Sequence, residues 1–164
     1  MSVDFKIISH RGCINGQDTS IENLPSHIES IIKKYEWIFV EIDLWAIHDN
    51  LFLGHDEPKY IIDSKFLLSD RFYVHAKNEE ALMYVHKNNI KNFFFHDRDE
   101  FTITSRGEIW CNKFKWLENS ILNQVNVDTV LDFKKYSGIC TDYPLNVFKK
   151  INKKDNVNWP FDIY

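Results

Sequence analysis

The chain has 164 residues, 44% of them hydrophobic, 15% aromatic and 27% charged, which is ordinary for a globular domain. A chain of that length can bury roughly 70% of its unfolded surface, so one domain over residues 1–164 is expected. The 20 Lys and Arg against 24 Asp and Glu give a net charge of −4. This argues against a nucleic-acid partner or an anionic membrane surface, because both need a basic face.

No run approaches the roughly 18 consecutive apolar residues of a spanning helix. Met1 to Lys6 contain Asp4 and lack the apolar stretch of a signal peptide. Cys13, Cys111 and Cys140 are odd in number and widely spaced. They read as reduced thiols, and a cytoplasmic location is expected. Cys13 has no local arrangement that would activate it as a nucleophile.

In chain order, Phe5 to Ser9 is a predicted strand ending at His10-Arg11-Gly12, with a loop around Asn15-Gly16. Ser20 to Tyr35 reads as a helix with Ile28, Ile31, Ile32 and Tyr35 on one face and Pro25 in its first turn. Trp37 to Trp45 is the strongest predicted strand, and period two puts Phe39, Glu41 and Asp43 on one face. Asp49-Asn50 signals a tight turn, after which Leu51 to Gly54 returns as an arm. Arg71 to Ala76 is the next strand, followed by a helix over Glu79 to Asn88 with Leu82, Met83 and Val85 inward.

Asn92 to His96, Glu100 to Thr104 and Glu108 to Cys111 are further extended segments. Trp116 to Val130 fits helix and strand equally, and Gly138 to Thr141 is a last short strand before Asp142-Tyr143-Pro144. Lys149, Lys150, Lys153 and Lys154 read as a solvated helix end. The alternation gives an α/β fold.

Ionisable residues fall at the C-terminal ends of these strands: His10 and Arg11, Glu41 and Asp43, His55, His75 and Lys77, and Asp142. In parallel α/β folds those ends gather on one side and build the site, so the pattern points to an enzyme. Glu41 and Asp43 aim two carboxylates into one space, which a divalent cation would reconcile. Hard oxygen donors of this sort suit Mg²⁺, Ca²⁺ or Mn²⁺. His10 and His55 are the candidate proton carriers, and Arg11 offers a fork suited to phosphate.

The order His10-Arg11-Gly12, Glu22-Asn23, Glu41-Ile42-Asp43, Asp49-Asn50 and His55-Asp56 resembles the glycerophosphodiester phosphodiesterase superfamily. Later, Trp110-Cys111-Asn112 looks like that family's W-x-N strand, and Gly138 to Pro144 looks like its GIxTDxP strand. The stretch from Phe93 to Trp110 is similar to small bacterial members associated with surface-polysaccharide gene clusters. The resemblance implies a TIM barrel and metal-dependent cleavage of a small phosphodiester, either a glycerophosphodiester or a sugar or polyol phosphodiester. His10 and His55 would be the acid–base pair and Glu41 and Asp43 would hold the ion. Arg11, Lys77 and Trp110 would meet the substrate.

Two departures stand out. Where the family presents Glu-x-Lys on the third strand, this chain has His75-Ala76-Lys77, so His75 becomes the third candidate metal ligand and Zn²⁺ joins the list of ions. A TIM barrel also takes roughly 250 residues, so a shortened barrel with reduced helices in its second half is expected. Such a barrel leaves strand edges that a second copy, in a homodimer, could cover. The same constellation would also serve a phospholipase-type lyase, or a degenerate barrel that binds a phosphorylated ligand without turnover.

Overall fold

In the computed structural model, which describes residues 5–112, 117–123 and 133–154, the chain folds around one curled sheet of ten strands. The elements run β1 (Lys6–His10), α1 (Pro25–Lys34), β2 (Ile38–Ile47), β3 (Asn50–Leu53), β4 (Tyr60–Ile62), β5 (Phe72–Ala76) and α2 (Glu79–Lys87). They continue with β6 (Phe93–Phe94), β7 (Phe101–Ile103), β8 (Ile109–Cys111), β9 (Ile121–Asn123), β10 (Gly138–Thr141) and α3 (Pro144–Lys154). Parallel pairing links β6 to β5, β5 to β2, β2 to β1, β1 to β10, β10 to β9 and β9 to β8. The antiparallel β3–β4 arm extends from the end of β2, and β7 pairs antiparallel with β8.

Alternation of side chains along these strands separates two environments. On the outer face Ile38, Val40, Ile42 and Leu44 of β2 pack with Ile28 and Ile31 of α1 and Ala81 and Val85 of α2. Each fully buried side chain of that size contributes roughly 1.5–3 kcal/mol. A second outer cluster joins Ile7, Leu122, Ile139 and Val147 of α3. On the inner face Ile8, Phe39, Tyr73, Phe94, Trp110, Ile121 and Cys140, each from a different strand, fill the hollow of the curl. Below them Glu108 ion-pairs with Lys6 and accepts from the Tyr73 hydroxyl.

α1 begins at Pro25, whose fixed φ suits the first helical turn, and residues 19–23 form turns where helix was expected. α2 has the Asn78 side chain as its cap and Glu79 and Glu80 in its first turn. It buries Ala81 and Val85, while Met83, expected inward, is 54% exposed. Ala81 lies four residues before Val85 and defines the stripe, and Met83 falls to its side.

The very apolar run at 92–96 supplies only a two-residue strand, because Phe93 and Phe94 alone pair with β5. Among the described residues no α-helix lies between β6 and β10: β7 and β8 follow as a hairpin. Of the ambiguous stretch from Trp116 to Val130, residues 121–123 form β9, and residues 116 and 124–130 lie outside the described residues. Lys149 and Lys150 lie on α3, with Lys149 exposed. Among the described residues no helix is long and apolar enough to cross a membrane.

Candidate functional site

Register brings the polar residues together. His10 lies beside Glu41 in the β1–β2 pair, and Asp43 lies beside His75 in the β2–β5 pair. All eight residues singled out by the sequence (His10, Arg11, Glu41, Asp43, His55, His75, Lys77 and Trp110) line one cavity of about 420 Å³ above the inner core. A groove of about 820 Å³ lies beside α1, but it holds His27 as its single imidazole and none of those eight.

The turn after β1 shapes the first wall. Arg11 has φ +53° and Gly12 φ +87°. Glycine is favoured there by its left-handed conformation, and a Cβ would also crowd Ile28 at 3.1 Å. This left-handed turn points the Arg11 N–H at Glu41 Oε2, 3.2 Å away. The Arg11 guanidinium lies 3.1 Å from Glu22 Oε2 through Nη1 and 3.2 Å from Asp43 Oδ2 through Nε. Arg11 is thus largely buried and engaged with the carboxylates themselves.

Asp43 is the hub. Asn23 Nδ2 donates to its Oδ2 at 2.9 Å, and the Asp43 N–H donates back to Asn23 Oδ1 at 2.9 Å. His75 Nδ1 lies 3.1 Å from Asp43 Oδ1, and Lys77 Nζ lies 3.3 Å from the same oxygen. Burial alone would raise the Asp43 pKa, but the His75 hydrogen bond and the charges of Lys77 and Arg11 outweigh it and hold the group ionised, well below the usual carboxylate range. Glu41 goes the other way: burial, then the Asp43 charge, push it up. Two neighbouring carboxylates are thereby separated in basicity.

The His75 ring packs against two rings that also pack on each other: Phe94, with centroids 5.0 Å apart, and His96, at 4.4 Å, each 10° from parallel, with 5.8 Å between Phe94 and His96. The His75 Nε2 faces the His96 carbonyl at 3.4 Å. Both partners of the ring are acceptors: Nδ1 donates to Asp43 Oδ1, with Glu41 Oε1 3.8 Å away. A metal ion between the carboxylates would take Nδ1 as a ligand and leave the ring proton on Nε2, toward the His96 carbonyl. Donor atoms of Glu41, Asp43 and His75 all lie within 4.8 Å of one another, and this buried group could hold a metal ion.

The proton carriers are positioned separately. His10 Nδ1 lies 2.8 Å from Asp142 Oδ1, and Asp142 is fixed by the Gly16 N–H donating to its carbonyl at 2.8 Å. This pairing puts the neutral ring's lone pair on Nε2. His55 follows the β3 arm, with its Nδ1 2.7 Å from Asp56 Oδ1 and its side chain 38% exposed. Burial and then the Arg11 charge lower its pKa. The arm is anchored by the Trp45 indole donating to the Gly54 carbonyl at 2.7 Å, and a Cβ on Gly54 would collide with the Glu57 carbonyl.

Trp110, expected to meet the substrate, forms the floor at 1% exposure, stacked on Phe94 with centroids 4.5 Å apart. Asn23, noted in sequence only as part of a motif, and Asp142, noted as a strand-end carboxylate, pair with Asp43 and His10. His96, Asn112 and Asn123 also line the cavity and carried no sequence signal as site residues, since each sits on or beside a strand too short to show alternation. Burial, then the charges of His75 and Lys77, press His96 down to about 4. Cys13 is buried at the back of the first turn, and burial pushes its thiol up to about 11, as expected of an inert residue.

Compared with known proteins, the chain matches no family model, no curated protein and no solved structure at a significant level.

Proposed function

We propose that this is a compact, TIM-barrel-like phosphodiesterase of the glycerophosphodiester phosphodiesterase superfamily that uses a divalent metal ion to cleave a small phosphodiester. One observation carries the reading: four imidazoles, a buried carboxylate pair and three permanent cations line one cavity, although they come from separate stretches of sequence. Structural ion pairs alone would not require the His10–Asp142 dyad and the exposed His55 in the same space.

The residues fit a divalent ion. The carboxylates on and around the lining, Glu22, Glu41, Asp43, Asp97, Asp99 and Asp142, outnumber Arg11, Lys77 and Arg98, and His75 Nδ1 sits against the acidic pair. Glu41, Asp43 and His75 would hold the ion, with the His96 carbonyl orienting the imidazole from behind. When bound there, the ion supplies positive charge to the phosphate oxygens and lowers the cost of attack. Lys77, drawn toward Asp43, adds a fixed positive charge on the same side. His10, held by Asp142, takes the proton of the attacking hydroxyl through Nε2, and the Asp142 carboxylate stabilises the imidazolium that forms. His55 gives its proton to the departing alkoxide, and its lowered pKa makes the imidazolium a stronger acid.

The test is release of product from bis(p-nitrophenyl) phosphate and glycerophosphocholine with and without added Mg²⁺, Ca²⁺, Mn²⁺ or Zn²⁺. Turnover should depend on the ion and fall by about 10²-fold or more in both His10→Ala and His55→Ala. Full activity in His55→Ala removes its assigned role. Binding of the diester without turnover under any ion replaces the enzyme by a binding module. A cyclic phosphate product, seen by phosphorus NMR, identifies a lyase.

A further inference from the structure

The cavity has two chemically different walls. Charge is gathered on and just after β1, β2 and β5 and in the segment after β6 (Asp97, Arg98 and Asp99), whereas β8 and β9 contribute Trp110, Asn112 and Asn123, none of them charged. Among the described residues, three buried polar atoms on this second wall have no hydrogen-bond partner: Trp110 Nε1, Asn112 Oδ1 and Asn123 Oδ1. Trp110 and Asn112 are 1% and 5% exposed. Asn112 is fixed in orientation because its Nδ2 donates to the Asp99 carbonyl at 2.9 Å, so its Oδ1 is an acceptor. Buried polar groups are nearly always paired, and three orphans beside one cavity call for a ligand.

The donor–acceptor pattern identifies the class. One N–H donor and two carbonyl acceptors suit hydroxyl groups, each of which gives and takes a hydrogen bond. A phosphate dianion only accepts and would be repelled by both amide oxygens. This wall therefore takes the uncharged part of the ligand.

Spacing narrows the class further. The β8–β9 register pairs Trp110 with Ile121 and Cys111 with Leu122, and its continuation sets Asn112 beside Asn123. Neighbouring strands lie about 4.8 Å apart, and alternate residues about 6.6 Å apart along a strand. A wall built on backbones so spaced is broad enough for several hydroxyls around a sugar ring and broader than a three-carbon polyol needs. A cavity of about 420 Å³ has room for such a ring beside a phosphate. Phe95, 41% exposed on the same lining, offers the ring an apolar face.

We infer that the β8–β9 wall is a subsite for the ring of an uncharged, polyhydroxylated sugar attached to the phosphate. The phosphate end of this ligand rests on the phosphodiester reading above. Monoesters that cannot be cleaved as diesters separate the two claims. Calorimetric titration of the full chain should show glucose 1-phosphate binding about ten-fold or more tightly than cyclohexyl phosphate, and more tightly than glycerol 1-phosphate. Trp110→Phe and Asn112→Leu should each cut the glucose-to-cyclohexyl ratio by about five-fold or more.

Equal affinity for the two ring esters, tightest binding of glycerol 1-phosphate, or no binding of any of the three at millimolar concentration overturns the inference. The wild-type comparison stands even if a variant fails to fold. Sugar preference without hydrolysis of any diester sinks the phosphodiesterase reading and leaves the subsite. Hydrolysis without sugar preference does the reverse.

Discussion

Asp43 shows how much of this site is held by single side chains. It is 1% exposed, and its charge is met by Asn23, His75, Lys77 and Arg11. Asn23 makes the two shortest of these contacts and occupies a left-handed backbone position, φ +57°, which asparagine tolerates better than most residues. Asn23→Leu leaves a buried N–H and a carboxylate oxygen short of partners. A loss of about 3 kcal/mol in urea unfolding is expected. Asp142 is the second such residue. Asp142→Asn keeps the size of the side chain but removes the charge that pairs with His10, and kcat on bis(p-nitrophenyl) phosphate should fall by about 10²-fold. An unchanged kcat would mean that the pairing is structural only.

At the level of elements, the β3 arm buries Leu51 and Leu53 in the main core and leads into His55 on the cavity lining. Its turn depends on Gly54, whose hydrogen would be replaced by a Cβ colliding with the Glu57 carbonyl, and on the Trp45 indole that holds the Gly54 carbonyl. Gly54→Ala is expected to cost about 2 kcal/mol and to reduce turnover more than a remote substitution of equal cost. Comparing thermal midpoints and rates with those of such a control checks this. The fold covers all three thiols, since Cys13, Cys111 and Cys140 are buried. Ellman titration of the native chain should find none of them reactive within minutes and all three after unfolding.

For the whole molecule, the curl concentrates ionisable groups at one end, and stability must follow pH accordingly. His96 sits at about 4 in the folded chain against an ordinary 6.5. As pH falls the unfolded chain binds this proton first. Its contribution is therefore intact above 6.5 and lost progressively between 6.5 and 4. Glu41 opposes it: a pKa raised above 4.5 favours the folded state at low pH, and that contribution fades as pH rises past 4.5. His96→Phe keeps a ring against His75 but removes the titration. It should flatten the dependence of the urea midpoint on pH between 4.5 and 7, and an unaltered slope would assign the dependence to other groups.

Much of this arrangement is legible in the residues. β2 reads as a strand because Ile38, Val40, Ile42 and Leu44 alternate with Phe39, Glu41 and Asp43, and β10 reads as a strand because Gly138 to Thr141 is a short buried run between polar flanks. Pattern of that kind is local, so period two suffices to put Glu41 and Asp43 on one face. The same local logic failed at Met83, where two helix faces were compatible with the sequence, and at 92–96, where an apolar run exceeds the two residues that find a pairing partner. Those outcomes depend on which neighbour a segment meets.

What the sequence by itself determined was therefore the set of strand ends and the kinds of group they carry: His10, Glu41, Asp43, His55, His75, Lys77 and Asp142. What only the tertiary structure decided was their pairing. Arg11 turned inward to the carboxylates, His75 was fixed by the carbonyl of His96, and Trp110, Asn112 and Asn123 were set as an uncharged wall opposite the charged one. The reason is physical. Side-chain type and spacing fix what a residue can donate, accept or carry, whereas the curl of the sheet fixes which residues, up to 132 positions apart as in His10 and Asp142, share one space.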